Sequence, residues 1–209
     1  MRGFQFIFIG LLLTSCATQS VQEEPLYFAA NPTRSAPFIP HTENKPLKSY
    51  LAMNLPYEDF SPLLQNLESR LKTTLKNRGE AHITVITPPE YDKISSKVKI
   101  SEINTIAEKL GIQTVPYKLL CIGRVEKTLD QKSESAYFAV VESEKLFEIR
   151  KKIQDLYIQR GGKAGEFNAE LFFPHATLGY TLRDLHYEDG VKKDASSCVF
   201  QIKERPTTP

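Results

Sequence analysis

Apolar and polar positions along the chain follow a strand, helix, strand order that occurs twice. In each unit an alternating run precedes a segment with apolar residues at helical spacing, and a short apolar run closes the unit. The pattern predicts a first unit with a strand over 49–55, a helix over 60–76 and a strand over 81–87. It predicts a second unit with a strand over 136–141, a helix over 144–159 and a strand over 167–181. The repeated order indicates an internal duplication.

Three further elements are predicted between and after the two units, namely a helix over 100–110 and strands over 115–125 and 197–203. Pro88 and Pro89 are expected to stop the strand before them. The charged positions over 144–152 are expected to form a solvated helix face.

These elements predict an α+β fold with a duplicated, bilobal architecture. Two antiparallel sheets are expected to face each other across a central cleft, with the helices on the outer faces. We predict that the domain spans 47–204 and is followed by a C-terminal tail over 205–209. No apolar stripe stands apart from the expected core, and we expect a monomer.

The N-terminus has the pattern of a secretion signal, with one cation at Arg2, an apolar run over 4–13 and small residues up to Cys16. The apolar run is about half the ~20 residues that a transmembrane helix needs. The alternative, a buried N-terminal helix with an incidental cysteine, lacks an amphipathic pattern to support it.

The sequence Leu13-Thr14-Ser15-Cys16 resembles a bacterial lipobox. This resemblance implies that 1–15 is a lipoprotein signal peptide and that Cys16 is lipidated and anchors the chain to a membrane of the cell envelope. Ala17 follows the cysteine, which in a Gram-negative host favours the periplasmic side of the outer membrane.

Residues 16–46 are expected to form a tether, because prolines recur among polar residues there. The alternative is that the apolar residues at 26–28 and 38–39 lie down on the domain. His41 falls in this segment and is expected to be solvated.

Composition narrows the classes of function. The chain has 209 residues, 41% of them hydrophobic, which suits one folded domain with tails. The 27 basic side chains are nearly balanced by 25 acidic ones, which argues against binding to duplex nucleic acid through a basic face.

Cys121 and Cys198 either pair or remain buried thiols, since the sequence does not fix their separation.

The candidate chemistry lies in a motif that occurs once in each unit. His82 is followed by Thr84, and His175 by Thr177, on the last strand of each unit. Residues at i and i+2 of a strand point to the same face, so each strand presents an imidazole and a hydroxyl together. Two imidazoles with pKa values near 6.5 can donate and accept protons at one phosphodiester.

The two motifs resemble the two-histidine (2H) phosphoesterase superfamily, which includes 2′-5′ RNA ligase-like proteins and cyclic phosphodiesterases. The segment Phe172-Phe173-Pro174-His175-Ala176-Thr177-Leu178-Gly179 carries the more specific likeness. The resemblance implies that His82 and His175 are the catalytic acid and base, in an order left open, and that Thr84 and Thr177 donate to phosphate oxygens. Tyr180 is a candidate for stacking on a base.

The resemblance implies a hydrolase that acts on 2′,3′-cyclic phosphates or related nucleotide and RNA-end phosphodiesters without a cofactor or a metal. Neither motif has a second ligand at the spacing of tetrahedral zinc sites. The alternative function is a non-catalytic envelope lipoprotein that binds a nucleotide or a phosphorylated ligand in the same cleft.

Overall fold

The computed structural model describes residues 24–31, 34–43, 45–129 and 131–205. The expected signal peptide over 1–15 and Cys16 lie outside the described residues. Within the described residues, no helix is long and apolar enough to cross a membrane.

Eight strands and four α-helices make up the described part of the chain. The strands are β1 Leu26–Phe28, β2 His41–Thr42, β3 Ser49–Leu55, β4 Ala81–Ile86, β5 Lys118–Leu129, β6 Lys132–Glu142, β7 His175–Tyr180 and β8 Cys198–Glu204. The helices are α1 Tyr57–Leu71, α2 Pro88–Ile94, α3 Ile100–Lys109 and α4 Glu144–Gln159. Short 3₁₀ turns occupy Ile112–Thr114, Tyr187–Asp189 and Ala195–Ser197.

The strands join in one continuous sheet with the order β1-β8-β5-β6-β7-β4-β3-β2. The α+β class is confirmed, but the expected pair of sheets facing each other in two lobes is not. The reason is that the last strands of the two units, β4 and β7, pair antiparallel through Ile83 and Ala176. The two strand-helix-strand units therefore share a single sheet.

The main core lies on one face of this sheet. Ile83 and Ala176 are both fully buried there, in the same cluster as the apolar side chains of α1, α3 and α4. A smaller cluster lies on the other face around Phe138 and Leu185. The helices α1, α3 and α4 thus pack on the core face of β4 and β7. These three helices do not cover the opposite face of the two strands.

Several predicted boundaries differ from the structure by a few residues, among them those of α1, β5 and β6, and two further differences have identifiable reasons. Pro88 and Pro89 begin α2 rather than only ending a strand, because Thr87 and Glu90 form a capping box and proline suits the first turn of a helix. The predicted closing strand of the second unit, 167–181, shortens to β7, because the segment before it wraps around a buried arginine.

That arginine is Arg150 of α4, which is only 1% exposed although the sequence predicted a solvated helix face at 144–152. Its guanidinium donates to both carboxylate oxygens of Glu90, at 2.8 and 3.1 Å, and to the carbonyl of Val85 at 2.7 Å. It also donates to the carbonyls of Asn168, Ala169 and Leu171. Arg150 therefore ties the end of β4 to the segment that leads into β7.

The N-terminal segment packs onto the domain along much of its described length, which is the second alternative that the sequence left open. β1 pairs parallel with β8, and Leu26 and Phe28 are buried in the core. β2 pairs antiparallel with β3, which brings His41 beside Tyr50.

Cys121 of β5 and Cys198 of β8 form a disulfide, with their Cα atoms 5.7 Å apart. The sequence left open whether these residues pair, and the structure decides for pairing.

Candidate functional site

The two histidine-threonine motifs face the same side of the sheet. Ile83 and Ala176 are cross-strand partners and point into the core. Successive side chains of a strand alternate between faces, so the residues on either side of this pair project from the opposite face. These are His82 and Thr84 on β4 and His175 and Thr177 on β7, and all four line one cavity of about 710 Å³.

Tyr180 lines the same cavity from the end of β7. Its backbone is fixed by two hydrogen bonds with Lys76, of 2.8 and 3.0 Å. The structure thus brings together the five residues that the sequence singled out in the domain, while Cys16 lies outside the described residues.

His175 is held in one tautomer. Its Nδ1 lies 2.7 Å from the carbonyl oxygen of Phe173. A carbonyl only accepts, so Nδ1 carries the proton and donates it, and Nε2 keeps a free lone pair. Burial, and then the nearby Lys193 ammonium, lower the pKa of His175 to about 3. His175 is therefore neutral at physiological pH, with a nitrogen available to accept a proton.

His82 has a different electrostatic setting. Its Nδ1 lies 3.7 Å from a carboxylate oxygen of Glu80. Burial lowers the pKa of His82, and the Glu80 carboxylate opposes this shift. Arg78 and His41 also lower the pKa of His82, and Asp184 opposes the lowering at His175, but the lowering is large only at His175. Of the two imidazoles, His82 therefore binds a proton more readily.

Thr177 belongs to a buried polar network that the sequence did not reveal. Its hydroxyl donates to Asp184 at 3.1 Å, and the other oxygen of Asp184 accepts from Lys193 Nζ at 2.7 Å. Both charged side chains line the cavity. Asp184 follows Arg183, and Lys193 lies between Lys192 and Asp194, in the polar segment after β7. Charged residues in such a segment are usually solvated, so no local signal marks these two.

Two pairs of stacked rings flank the motifs. His41 stacks on Tyr50 with the ring centroids 3.9 Å apart, next to His82. The expectation that His41 is solvated was wrong, because the β2–β3 pairing holds it half-buried in the cavity wall. On the other side Phe173 stacks with Tyr187 at 5.8 Å. The cavity therefore offers flat apolar surfaces on both sides of the two histidines.

Within the parts of the chain that the structure describes, no cluster of three or more histidine, cysteine or carboxylate side chains has an arrangement that could hold a metal ion. Arg78 and Lys193 are among the cationic side chains that line the cavity, beside several carboxylates.

Comparison with known families matches the chain to a family model. The model of the family described as Swiss Army Knife, 2H phosphoesterase domain, matches residues 49–186, which is about two thirds of the chain. The matched range contains both histidine-threonine motifs and Asp184, whereas His41 and Lys193 lie outside it. No curated protein and no solved structure matches the chain significantly.

Proposed function

The chain belongs to the 2H phosphoesterase family, and we propose that it hydrolyses 2′,3′-cyclic phosphates or related nucleotide and RNA-end phosphodiesters without a metal ion. The observation that carries this proposal is the cavity in which His82 and His175 project from neighbouring strands, with the pKa of His175 lowered further than that of His82. Such a pair suits a reaction in which one proton is accepted while another is donated.

In the proposed mechanism His175 is the base and His82 the acid. Nε2 of His175 accepts a proton from the attacking water as the new P–O bond forms, and its Nδ1 remains bound to the Phe173 carbonyl. Protonated His82 donates its proton to the leaving oxygen as the old P–O bond breaks. Thr84 donates to a non-bridging oxygen. The two imidazoles end in exchanged protonation states, and exchange with water restores them.

The volume and the aromatic lining of the cavity favour a nucleotide over a small aliphatic diester. Its volume of about 710 Å³ is in the range that holds a compact organic ligand. The stacked rings of His41 with Tyr50 and of Phe173 with Tyr187 offer π faces, which bind bases of any identity. Leu171 and Tyr187 are exposed at the cavity wall and add apolar surface.

The assignment of acid and base predicts an acidic optimum for kcat/KM, which reports ionisations of the free enzyme. His175 must be neutral to act, which holds above its pKa of about 3. His82 must be protonated, and this form is lost as pH rises through a pKa that burial sets below the ordinary 6.5.

We therefore expect kcat/KM for a 2′,3′-cyclic nucleotide to be highest between these two pKa values and to fall about tenfold per pH unit above 6.5. The measurement is initial rates from pH 4 to 9, with circular dichroism at each pH as the control for folding. A maximum above pH 7 would contradict this assignment of the acid.

The substrate class is tested with a panel of diesters in excess EDTA. Full-length protein is incubated with 2′,3′-cyclic nucleotides, a 3′,5′-cyclic nucleotide, RNA ending in a cyclic phosphate, and bis(p-nitrophenyl) phosphate. We expect turnover of the 2′,3′-cyclic ends and little of the 3′,5′-cyclic nucleotide. Turnover that needs an added divalent cation would overturn the metal-independent mechanism.

The second candidate is a non-catalytic lipoprotein that binds a nucleotide in the same cavity. The low pKa of His175 favours it, because a weak base is a poor catalyst until a bound anion raises its proton affinity. Saturable binding of the cyclic nucleotides with no product after long incubation would establish this alternative.

We propose that the protein acts as a monomer on the outside of the cytoplasm, held to an envelope membrane by lipidated Cys16. The disulfide between Cys121 and Cys198 supports export, because such bonds persist in oxidising compartments. Acyl chains stabilise membrane binding by about 0.8 kcal/mol for each CH₂ group that is buried in the bilayer. Cys16→Ser is therefore expected to move the protein from the membrane fraction to the soluble fraction, and retention in the membrane would refute lipid anchoring at this residue.

A further inference from the structure

Lys193 is a buried cation in the wall of the cavity, outside the range that the family model matches. Its side chain is only 4% exposed. Nζ lies 2.7 Å from Asp184, 3.4 Å from the hydroxyl of Thr177 and 5.2 Å from the ring centroid of Phe138. Phe138 in turn contacts His175 edge to face. Lys193 thus lies directly beside the second motif.

The contacts of Thr177 fix the direction of its hydroxyl. Burial tends to raise the pKa of Asp184, but the Lys193 ammonium, with smaller contributions from His186 and His175, outweighs burial and lowers it, so Asp184 is an ionised acceptor. Thr177 has one hydroxyl proton and donates it to Asp184. It therefore presents a lone pair to the cavity, and an anionic phosphate oxygen needs a donor instead.

Lys193 can supply the hydrogen-bond donor for a phosphate oxygen that Thr177 lacks. An ammonium carries three N–H groups, and the described residues give Nζ two acceptors, on Asp184 and Thr177. We propose that Lys193, held in place by Asp184, donates its third N–H to a non-bridging oxygen of the bound phosphate and so takes the role that the resemblance assigns to Thr177. This inference rests on the proposed function, since it concerns the same site.

The ion pair of Lys193 with Asp184 is better explained by ligand binding than by a contribution to the stability of the fold. A buried pair is often no more stabilising than apolar side chains of the same volume, so its presence in a cavity wall points to a functional role. A cation fixed before the substrate arrives stabilises negative charge without reorganisation. The Lys193 ammonium and His186 also lower the pKa of His175, and Asp184 opposes them. Lys193 thus helps to keep His175 neutral.

The first test measures anion binding, which does not require turnover. Inorganic phosphate and adenosine 2′-monophosphate are titrated by calorimetry into full-length wild type, Lys193→Met, Lys193→Arg and the double variant Asp184→Asn/Lys193→Met. Loss of a charged hydrogen bond is expected to weaken binding about tenfold or more in both variants that carry Lys193→Met, whereas Lys193→Arg stays within about threefold of wild type. Lys152→Met, which removes the same charge from an exposed position of α4, is the matched control.

The double variant keeps the test valid if the single one fails to fold, because it leaves no unpaired buried charge. NMR of wild type adds a measurement that needs no variant: the Lys193 side-chain signals are expected to shift on titration with phosphate. NMR titration of the His175 ring is expected to give a higher pKa in the folded variants without Lys193, because the ammonium lowers this pKa.

Equal phosphate affinity in wild type and in a folded variant without Lys193 would overturn the inference. Hydrolysis of a cyclic nucleotide with unchanged kcat/KM in Lys193→Met would also overturn it, while the proposed function stands. If no diester is hydrolysed but phosphate affinity depends on Lys193, the proposed function fails and the assignment of Lys193 stands.

Discussion

Replacing either His82 or His175 by alanine is expected to lower kcat for a 2′,3′-cyclic nucleotide by about 10²- to 10⁴-fold, the usual contribution of a positioned acid or base. The two residues act as base and acid in the same displacement, so the double variant is expected to be little slower than the more damaged single variant. The measurement is steady-state kinetics in EDTA, with a thermal melt of each variant.

Gln201→Ala is the matched control, because it truncates an exposed polar residue on the same sheet, on β8, outside the cavity wall. Its rate is expected to equal that of wild type. A folded His175→Ala variant with the wild-type rate would remove the base from the mechanism, and the same result for His82→Ala would remove the acid.

The second large effect is expected on stability. Arg150→Ala leaves Glu90 without its bidentate partner and leaves four backbone carbonyls without a donor from this side chain. Breaking a buried ion pair by removing one member costs about 3–5 kcal/mol. The free energy of unfolding, from urea titration, is expected to fall by this amount. Activity should fall as well, because Arg150 fixes the segment that leads to His175.

The neighbouring residue supplies the control for this prediction. Lys151 is exposed and pairs with Asp155 at 2.8 Å, four residues later on the helix. Pairs of this kind contribute little, so Lys151→Ala is expected to change the free energy of unfolding by less than about 0.5 kcal/mol. A loss of similar size in both variants would show that the buried network around Arg150 is not what stabilises this region.

The sequence predicted the elements with a clear hydrophobic period and the residues with a repeated motif. The helical spacing predicts α4 at its observed bounds, and the repeated motif predicts His82, Thr84, His175 and Thr177 on equivalent strands. Both follow from local spacing. The catalytic roles of these four residues stay predictions.

What the sequence did not predict depends on contacts between distant segments. A single sheet forms because β4 pairs with β7, and strand pairing is not encoded in the period of either strand. Arg150 reads as one more charge on a helix until the carbonyls that surround it are known. Lys193 and His41 likewise belong to polar segments, and only the fold brings them to the cavity.

The measurement that tests the central claim most directly is ³¹P NMR of a 2′,3′-cyclic nucleotide incubated with full-length protein in excess EDTA, beside the double variant His82→Ala/His175→Ala. The account predicts that wild type converts the cyclic signal into that of a single 2′- or 3′-phosphomonoester and that the double variant leaves it unchanged. A folded wild type that leaves the cyclic signal intact, or a double variant that converts it as fast as wild type, would contradict the account.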